Sequence, residues 1–467
     1  MKIQLENIGA IRYAELELGK FTVICGLNNS GKTYITYVVY GFLFFWNNIF
    51  QIPIDVEIIK NLKDSGVYSI STSDYLLKSS SIINQACHEY KKQLASVFAA
   101  QNSKFYESDF KIDISLGDIV VMKKEYAGEL SSSNKKTKLT YTKNSNNDVI
   151  SLTLFSEENK AREIPDDIIS QTISDAVKKV VFSSVFPNIF IASAERTGAA
   201  IFRRELNFAR NKILEAISKK DSEIDPLFLL REGKSDYAWP VNHNVEFVRS
   251  IESISRHESD VYINHRELIN AFNDILGGDY EISNKDELFF TPYSKSNIKT
   301  KLTMDESSSS VRSLLDIGFF IKHSAQFGDL LMIDEPELNL HPKNQRKITR
   351  LLANLVNCGI NIFVTTHSDY ILRELNNLIL LNGDRPHLSN IITREGYRKS
   401  ELLKASELKI YTADESFVML PNGKRKVKVS TLVPISVDDE YGIHSSSFDD
   451  EINDMNRIAD DIAFGGQ

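Results

Sequence analysis

The chain has 467 residues, 42% of them hydrophobic, and a formal net charge of -8. That length carries two to four domains or one large core with insertions; the apolar content excludes a disordered chain, and the acidic balance excludes a surface that is basic throughout, leaving room for a local basic stripe. Cys25, Cys87 and Cys358 are too few and too dispersed for a disulfide framework or a cysteine-rich metal site, which points to a reducing compartment, the cytoplasm.

The opening MKIQLENIGAI alternates apolar and polar residues as a strand does and lacks the apolar core and cleavage site of a secretion signal. Residues 21–33, FTVICGLNNSGKT, run from an apolar strand through a loop holding Gly26, Asn28, Asn29, Ser30 and Gly31 into a helix opened by Lys32 and Thr33. The GxxxxGKT pattern in that setting is a phosphate-binding loop. Its glycines allow a tight path that turns backbone N–H groups toward phosphate oxygens, Lys32 reaches the terminal phosphates and the Thr33 hydroxyl ligates Mg2+. These seven residues form the expected site for ATP or GTP. The next stretch, YITYVVYGFLFFW, is too short to cross a bilayer before Asn47 and Asn48, so it predicts a buried helix and no membrane role.

Through the middle, residues 105–156 suggest short strands such as KIDISLGDIVVM and KLTYTK, a candidate peripheral sheet. In NIFIASAERTG an apolar strand ends at Glu195 and Arg196. That pair could contact nucleotide or couple the insertion to the core, and a buried structural ion pair is as good a reading as a nucleotide contact. Residues 201–221 and 245–276 read as mainly helical, an inserted arm or assembly domain without the heptads of a long coiled coil.

DESSSSVRSLLDIGFF, beginning at Asp305, is either a flexible linker or a phosphate-binding corner ahead of a helix. In DLLMIDEPELNLHP the run Leu330–Ile333 predicts a parallel strand buried on both faces that delivers Asp334 and Glu335 at its carboxyl end. Asp334 suits a Mg2+ site and Glu335 suits the orientation or deprotonation of an attacking water; a structural cap or salt bridge is the plainer alternative. NIFVTTHSD adds a strand ending at His367, 33 positions after Asp334, where an imidazole can bond a γ-phosphate; Ser368 and Asp369 are candidate caps of the next helix. Basic segments starting at Lys123 and Lys424 are DNA or docking patches, or solvated hairpin faces, and FDDEINDMNRIADD reads as an acidic surface helix.

GLNNSGKT, DESSSSVR, DEPELNLHP and VTTHSD, in that order around a large insertion, resemble the ABC-type ATPase head of the RecF, SMC and OLD-nuclease superfamily, in a compact AAA-15-like branch. The resemblance implies an α/β P-loop ATPase head with a peripheral antiparallel sheet and a largely helical insertion. Its expected parts are an N-terminal half over 1–200, an insertion over 201–285, a C-terminal half over 286–400 and an extension over 401–467. It puts Lys32 and Thr33 in Walker A, Asp334 and Glu335 in Walker B, His367 at the switch, and Ser308–Arg312 in the signature that meets ATP held by another subunit. Ser308, Ser309 and Arg312 then join the nucleotide-binding set, ATP and Mg2+ are the cofactors, and the protein is a homo-oligomer of at least two copies. The usual signature glycines are absent, and His341 stands where the D-loop acid is expected. No Toprim-like set of acids follows His367, so chain size and motif series resemble the ATPase components of the PARIS and Septu anti-phage systems. That implies a separate nuclease effector and a phage-encoded trigger; the alternative is a repair or chromosome-maintenance ATPase that closes on DNA.

Overall fold

The computed structural model describes residues 1–121, 123, 125–131, 137–145, 147–156, 164–202, 237–283, 287–293, 300–421, 423–444, 454–458 and 460. They form two compact units interleaved along the chain, one of Met1–Ile8, Ala14–Glu17 and Tyr37–Ile189, the other of Gly9–Tyr13, Leu18–Thr36 and Phe190–Gln467. The fold is mixed α/β, with antiparallel sheets and much helix.

The apolar YITYVVYGFLFFW run lies in the helix Lys32–Asn48, as its composition predicts, and belongs to the first unit from Tyr37. From Tyr37 onward its aromatic side chains are the core: Phe42 stacks on Phe110 at 5.0 Å and Trp46 packs on Phe186 at 4.4 Å. Tyr90 donates its hydroxyl to Val38 O at 2.7 Å, which satisfies the polar end of a fully buried ring. The strand Lys2–Ile8 pairs antiparallel with Asp109–Asp113, and a second antiparallel sheet runs Val67–Ser71, Val149–Ser156, Thr137–Lys143, Tyr126–Ser131.

The second unit is built on a six-stranded sheet of β1 (Phe21–Cys25), β2 (Ile189–Ala192), β3 (Leu330–Asp334), β4 (Asn361–Thr366), β5 (Leu408–Met419) and β6 (Lys426–Ile435), in the order β6-β5-β1-β4-β3-β2. Every residue of β1 and β3 is buried, which is why FTVIC and LLMID are continuous apolar runs rather than alternating ones. β1, β4 and β3 are parallel, with Cys25 opposite Thr366 and Asp334 opposite Thr365. This register lines up three carboxyl ends, the place where parallel sheets bind ligands.

β5 and β6 form an antiparallel hairpin, with β5 parallel to β1. The basic run from Lys424 lies on it, and the exposed Lys428 pairs with Glu415 at 3.1 Å, a solvated hairpin face. Residues 245–276 are largely helical, in Trp239–Arg249, Asp260–Asn264 and Glu267–Leu276, and lead into the hairpin Gly278–Ile282 and Leu288–Pro292. The expected helix over 201–221, much of the basic segment from Lys123 and most of the acidic terminal segment lie outside the described residues. Among the described residues no helix is long and apolar enough to cross a membrane.

Candidate functional site

The loop after β1 takes its path from left-handed backbone at Gly26 (φ 143°), Asn29 (φ 63°) and Gly31 (φ 98°). A side chain at Gly26 would meet Ala413 O at 2.7 Å, and one at Gly31 would meet Ile11 Cδ1 at 2.8 Å, so neither position admits another residue without a shift. Leu27, Asn28 and Asn29 stand exposed at the crest. Lys32 folds back beneath them, donating from Nζ to Gly26 O at 2.9 Å and Leu27 O at 2.7 Å. Burial pushes its ammonium pKa down, while Glu335, Asp334 and Glu337 push it up. The Ser30 hydroxyl is buried without a hydrogen-bond partner.

The carboxyl end of β3 supplies the acids. Asp334 is 1% exposed; one carboxylate oxygen accepts the Thr365 hydroxyl, and Oδ2 is buried with no partner. Burial raises its pKa, and the neighbouring Thr365 and Thr33 side chains oppose the rise. Glu335 has φ 55°, a backbone state that costs a non-glycine residue about 1–2 kcal/mol. Its N–H donates to Thr365 O at 3.1 Å and its carbonyl accepts Arg196 Nη2 at 2.7 Å, which hold it there.

Sequence reasoning passed over Glu337, two places beyond Glu335 in the same DEPE run. It is 5% exposed and accepts from the Thr366 hydroxyl at 2.7 Å and the His367 N–H at 2.8 Å; its other oxygen is buried without a partner. His367 Nδ1 lies 3.3 Å from Glu337 and 3.5 Å from Glu335, so β4 presents the imidazole between two carboxylates. Ser368 stands at the N-cap position of the following helix but makes no cap bond with its side chain; its hydroxyl donates to Gln345 at 2.6 Å. His341 caps the helix Pro342–Asn357, accepting the Lys343 N–H at 3.2 Å.

The alternatives left open at Arg196 are resolved by its bonds. It is 1% exposed and donates to four carbonyls, Ser193 O (2.8 Å), Ser313 O (2.8 Å), Asp334 O (2.7 Å) and Glu335 O (2.7 Å). It therefore couples the end of β2, the acids of β3 and the helix Ser309–His323 through backbone rather than through an ion pair at bonding distance. Burial lowers its pKa, and Asp316 is the strongest charge opposing this. Asp316 accepts Asn244 Nδ2 at 3.2 Å, and Asn244 Oδ1 accepts the Ser193 N–H at 2.8 Å, closing a buried polar network. The one signal for it in sequence was a lone acid inside SLLDIGFF, an otherwise apolar helix stretch.

The serine run is the start of that helix, and the linker reading falls away. Ser308 is the N-cap, accepting the Val311 N–H, and its hydroxyl meets Ser310 at 2.8 Å. Ser308 and Ser309 are exposed. Arg312 turns back to Met304 O at 3.2 Å, to Ser307 O and to the Ser309 hydroxyl at 3.3 Å, bracing the turn. Ser313 donates to Leu338 O at 3.1 Å, tying the helix to the loop after β3.

A phosphate loop after one parallel strand, acids after another and a histidine after the strand between them define a P-loop ATPase head. The AAA_15 family model, described as an AAA ATPase domain, matches residues 1–372, and the chain belongs to that family: it is an ATP-binding, ATP-hydrolysing protein. No match is found among curated proteins. Among solved structures, an Smc head bound to the C-winged helix domain of ScpA is similar at 12% identity over 92% of this chain and 97% of that one, TM-score 0.34. The Thermotoga maritima SMC head gives 12% over 93% and 98%, TM-score 0.30. An Smc head with an extended coiled coil bound to a ScpA domain, from Pyrococcus furiosus, gives 14% over 98% of each chain, TM-score 0.31. Likenesses this distant do not bear on partner or pathway.

Proposed function

We propose that the chain is an ATP-driven assembly switch, in which two heads close on nucleotide and hydrolysis reopens them. The observation that carries this is the unpartnered, buried Asp334 Oδ2 in the same unit as a Lys32 ammonium held only by loop carbonyls. A buried acid oxygen left without a donor is costly unless a cation completes it. Asp334 and Thr33 fit Mg2+, which when bound neutralises phosphate charge. Lys32 then exchanges carbonyls for phosphate oxygens, with the N–H groups of Gly26–Thr33 around them. Glu335 orients the attacking water, and His367, between Glu335 and Glu337, senses the γ-phosphate. Exposed Ser308 and Ser309, at the N-terminus of a 15-residue helix, face the nucleotide of a second copy, with Arg312 bracing the turn.

The test is light scattering with ATP and Mg2+. Lys32→Ala is expected to lose nucleotide binding and stay monomeric. Glu335→Gln is expected to bind ATP, lose turnover by about a hundredfold or more, and accumulate as a closed dimer. Glu335→Gln protein that stays monomeric with ATP bound removes the assembly; normal turnover removes the role of Glu335. The trapped dimer also reads the output. Salt-sensitive retention of DNA marks a repair or chromosome-maintenance ATPase, whereas ATP-dependent capture of a separate nuclease, released by a phage-encoded protein, marks anti-phage control.

A further inference from the structure

Away from the nucleotide site, three side chains of different chemistry converge. His265 follows the helix Asp260–Asn264, Glu267 opens the helix Glu267–Leu276, and Cys358 ends the helix Pro342–Asn357. One ligand atom from each lies within 4.8 Å of the other two. His265 Nδ1 and Glu267 Oε1 are 3.3 Å apart. A charge-assisted hydrogen bond would draw them to about 2.7–2.9 Å. The edge of a tetrahedron whose legs are about 2.0–2.1 Å, the usual zinc–nitrogen and zinc–oxygen lengths, is about 3.3 Å. We propose that His265, Glu267 and Cys358 form a site for a borderline-soft divalent ion, zinc in the cell, with a fourth position open to water.

The donor set selects the metal: one thiolate, one imidazole and one carboxylate suit Zn2+ or Co2+ and not Mg2+, which takes oxygen. The frame is already fixed. The Phe327 ring meets His265 edge-on at 6.2 Å, and the helices carrying Glu267 and Cys358 are joined by Asn344 donating to Ile275 O at 3.0 Å and by Lys347 with Asp274 at 2.5 Å. The Cys358 thiol, raised to about 11 by burial and then by Glu267, must give its proton to solvent as the metal–sulfur bond forms. The ion would pin the end of the helix that follows β3 to the start of the Glu267 helix.

Cobalt is the probe, added to chelator-treated full-length protein. One Co2+ per chain is expected at this site, with a near-ultraviolet thiolate-to-cobalt charge-transfer band and visible tetrahedral bands, all displaced by Zn2+. Cobalt at Thr33 and Asp334 has oxygen donors alone and gives no thiolate band, so the two sites are distinguished. Cys358→Ser should lose the charge-transfer band, and His265→Gln and Glu267→Gln, at a half-buried and an exposed position, should weaken binding about tenfold or more. Absence of the band in wild type, saturation only in the millimolar range, or a band unchanged in all three variants overturns the site.

Discussion

The phosphate loop with the β3 acids and the serine-rich helix start are both matched to motifs, yet their chemistry is opposite. Around β3 the polar groups are buried and incomplete: Asp334 Oδ2, Glu337 Oε2 and Ser30 Oγ have no partner. At the helix start Ser308, Ser310 and Ser313 bond within their own turn or to Leu338 O, and the hydroxyls at its tip face solvent. Buried incompleteness stores a preference for a cation and anion in one place. The serines of the cap store none and offer only N–H groups and a dipole to whatever arrives, although Arg312 Nε in the same turn is buried without a partner. One head thus holds a prepared half and an indifferent half.

The comparison breaks most readily at Arg196, the residue that ties the two halves together. Arg196→Ala takes the guanidinium away from four carbonyls, of which Ser193 O alone keeps the position-196 backbone N–H, and leaves Asp316 without its counter-charge. A loss of about 3–5 kcal/mol in urea unfolding is expected. Arg196→Lys should recover little of it, because a single ammonium cannot serve carbonyls spread over three elements. Stability unchanged in both variants would show that the halves are held together by packing alone.

How much of this was legible follows from sequence distance. Gly26–Thr33, Asp334–Glu335 and His367 were readable because each motif is local, a few residues at the end of an apolar strand. The acceptors of Arg196 at Ser313, Asp334 and Glu335 are 117 to 139 positions away, and no spacing rule reaches them. Asn244 and Asp316 are likewise joined across 72 positions. Glu337 was within reach, since it lies in DEPELNLHP, but only the β4 register shows that it accepts from Thr366 and His367. The serine run was ambiguous because a linker and an N-cap share a composition; the Val311 N–H decides between them.

A smaller effect sharpens the coupling by pH. Burial raises the Asp316 carboxyl to about 6, with Arg196 opposing, whereas an aspartate in the unfolded chain titrates near its ordinary value, about 3.9. Between those two values the folded chain holds a proton that the unfolded chain has released. Stability therefore falls as pH rises from about 4 to about 6 and is level above, by on the order of 2–3 kcal/mol for this group. Asp316→Asn should remove that component, so the difference between wild-type and variant urea midpoints should change across this window and be flat above it. A difference that stays constant from pH 4 to 7 would place the Asp316 proton equilibrium at its unfolded value.

The smallest expected change in stability separates the two roles of Ser308. As an N-cap it stabilises the helix Ser309–His323, and Ser308→Ala should cost about 1 kcal/mol. Ser308→Asp should not, because a carboxylate caps as well and favours the positive end of the helix. The same carboxylate would confront the phosphates of a nucleotide held by a second copy. The assembly reading thus predicts that Ser308→Asp folds with wild-type stability and binds ATP, yet fails to dimerise when combined with Glu335→Gln, while Ser308→Ala in that background dimerises several-fold more weakly. If Ser308→Asp with Glu335→Gln closes as readily as Glu335→Gln alone, the serine turn is a cap and nothing more, and the second copy must complete the site with other residues.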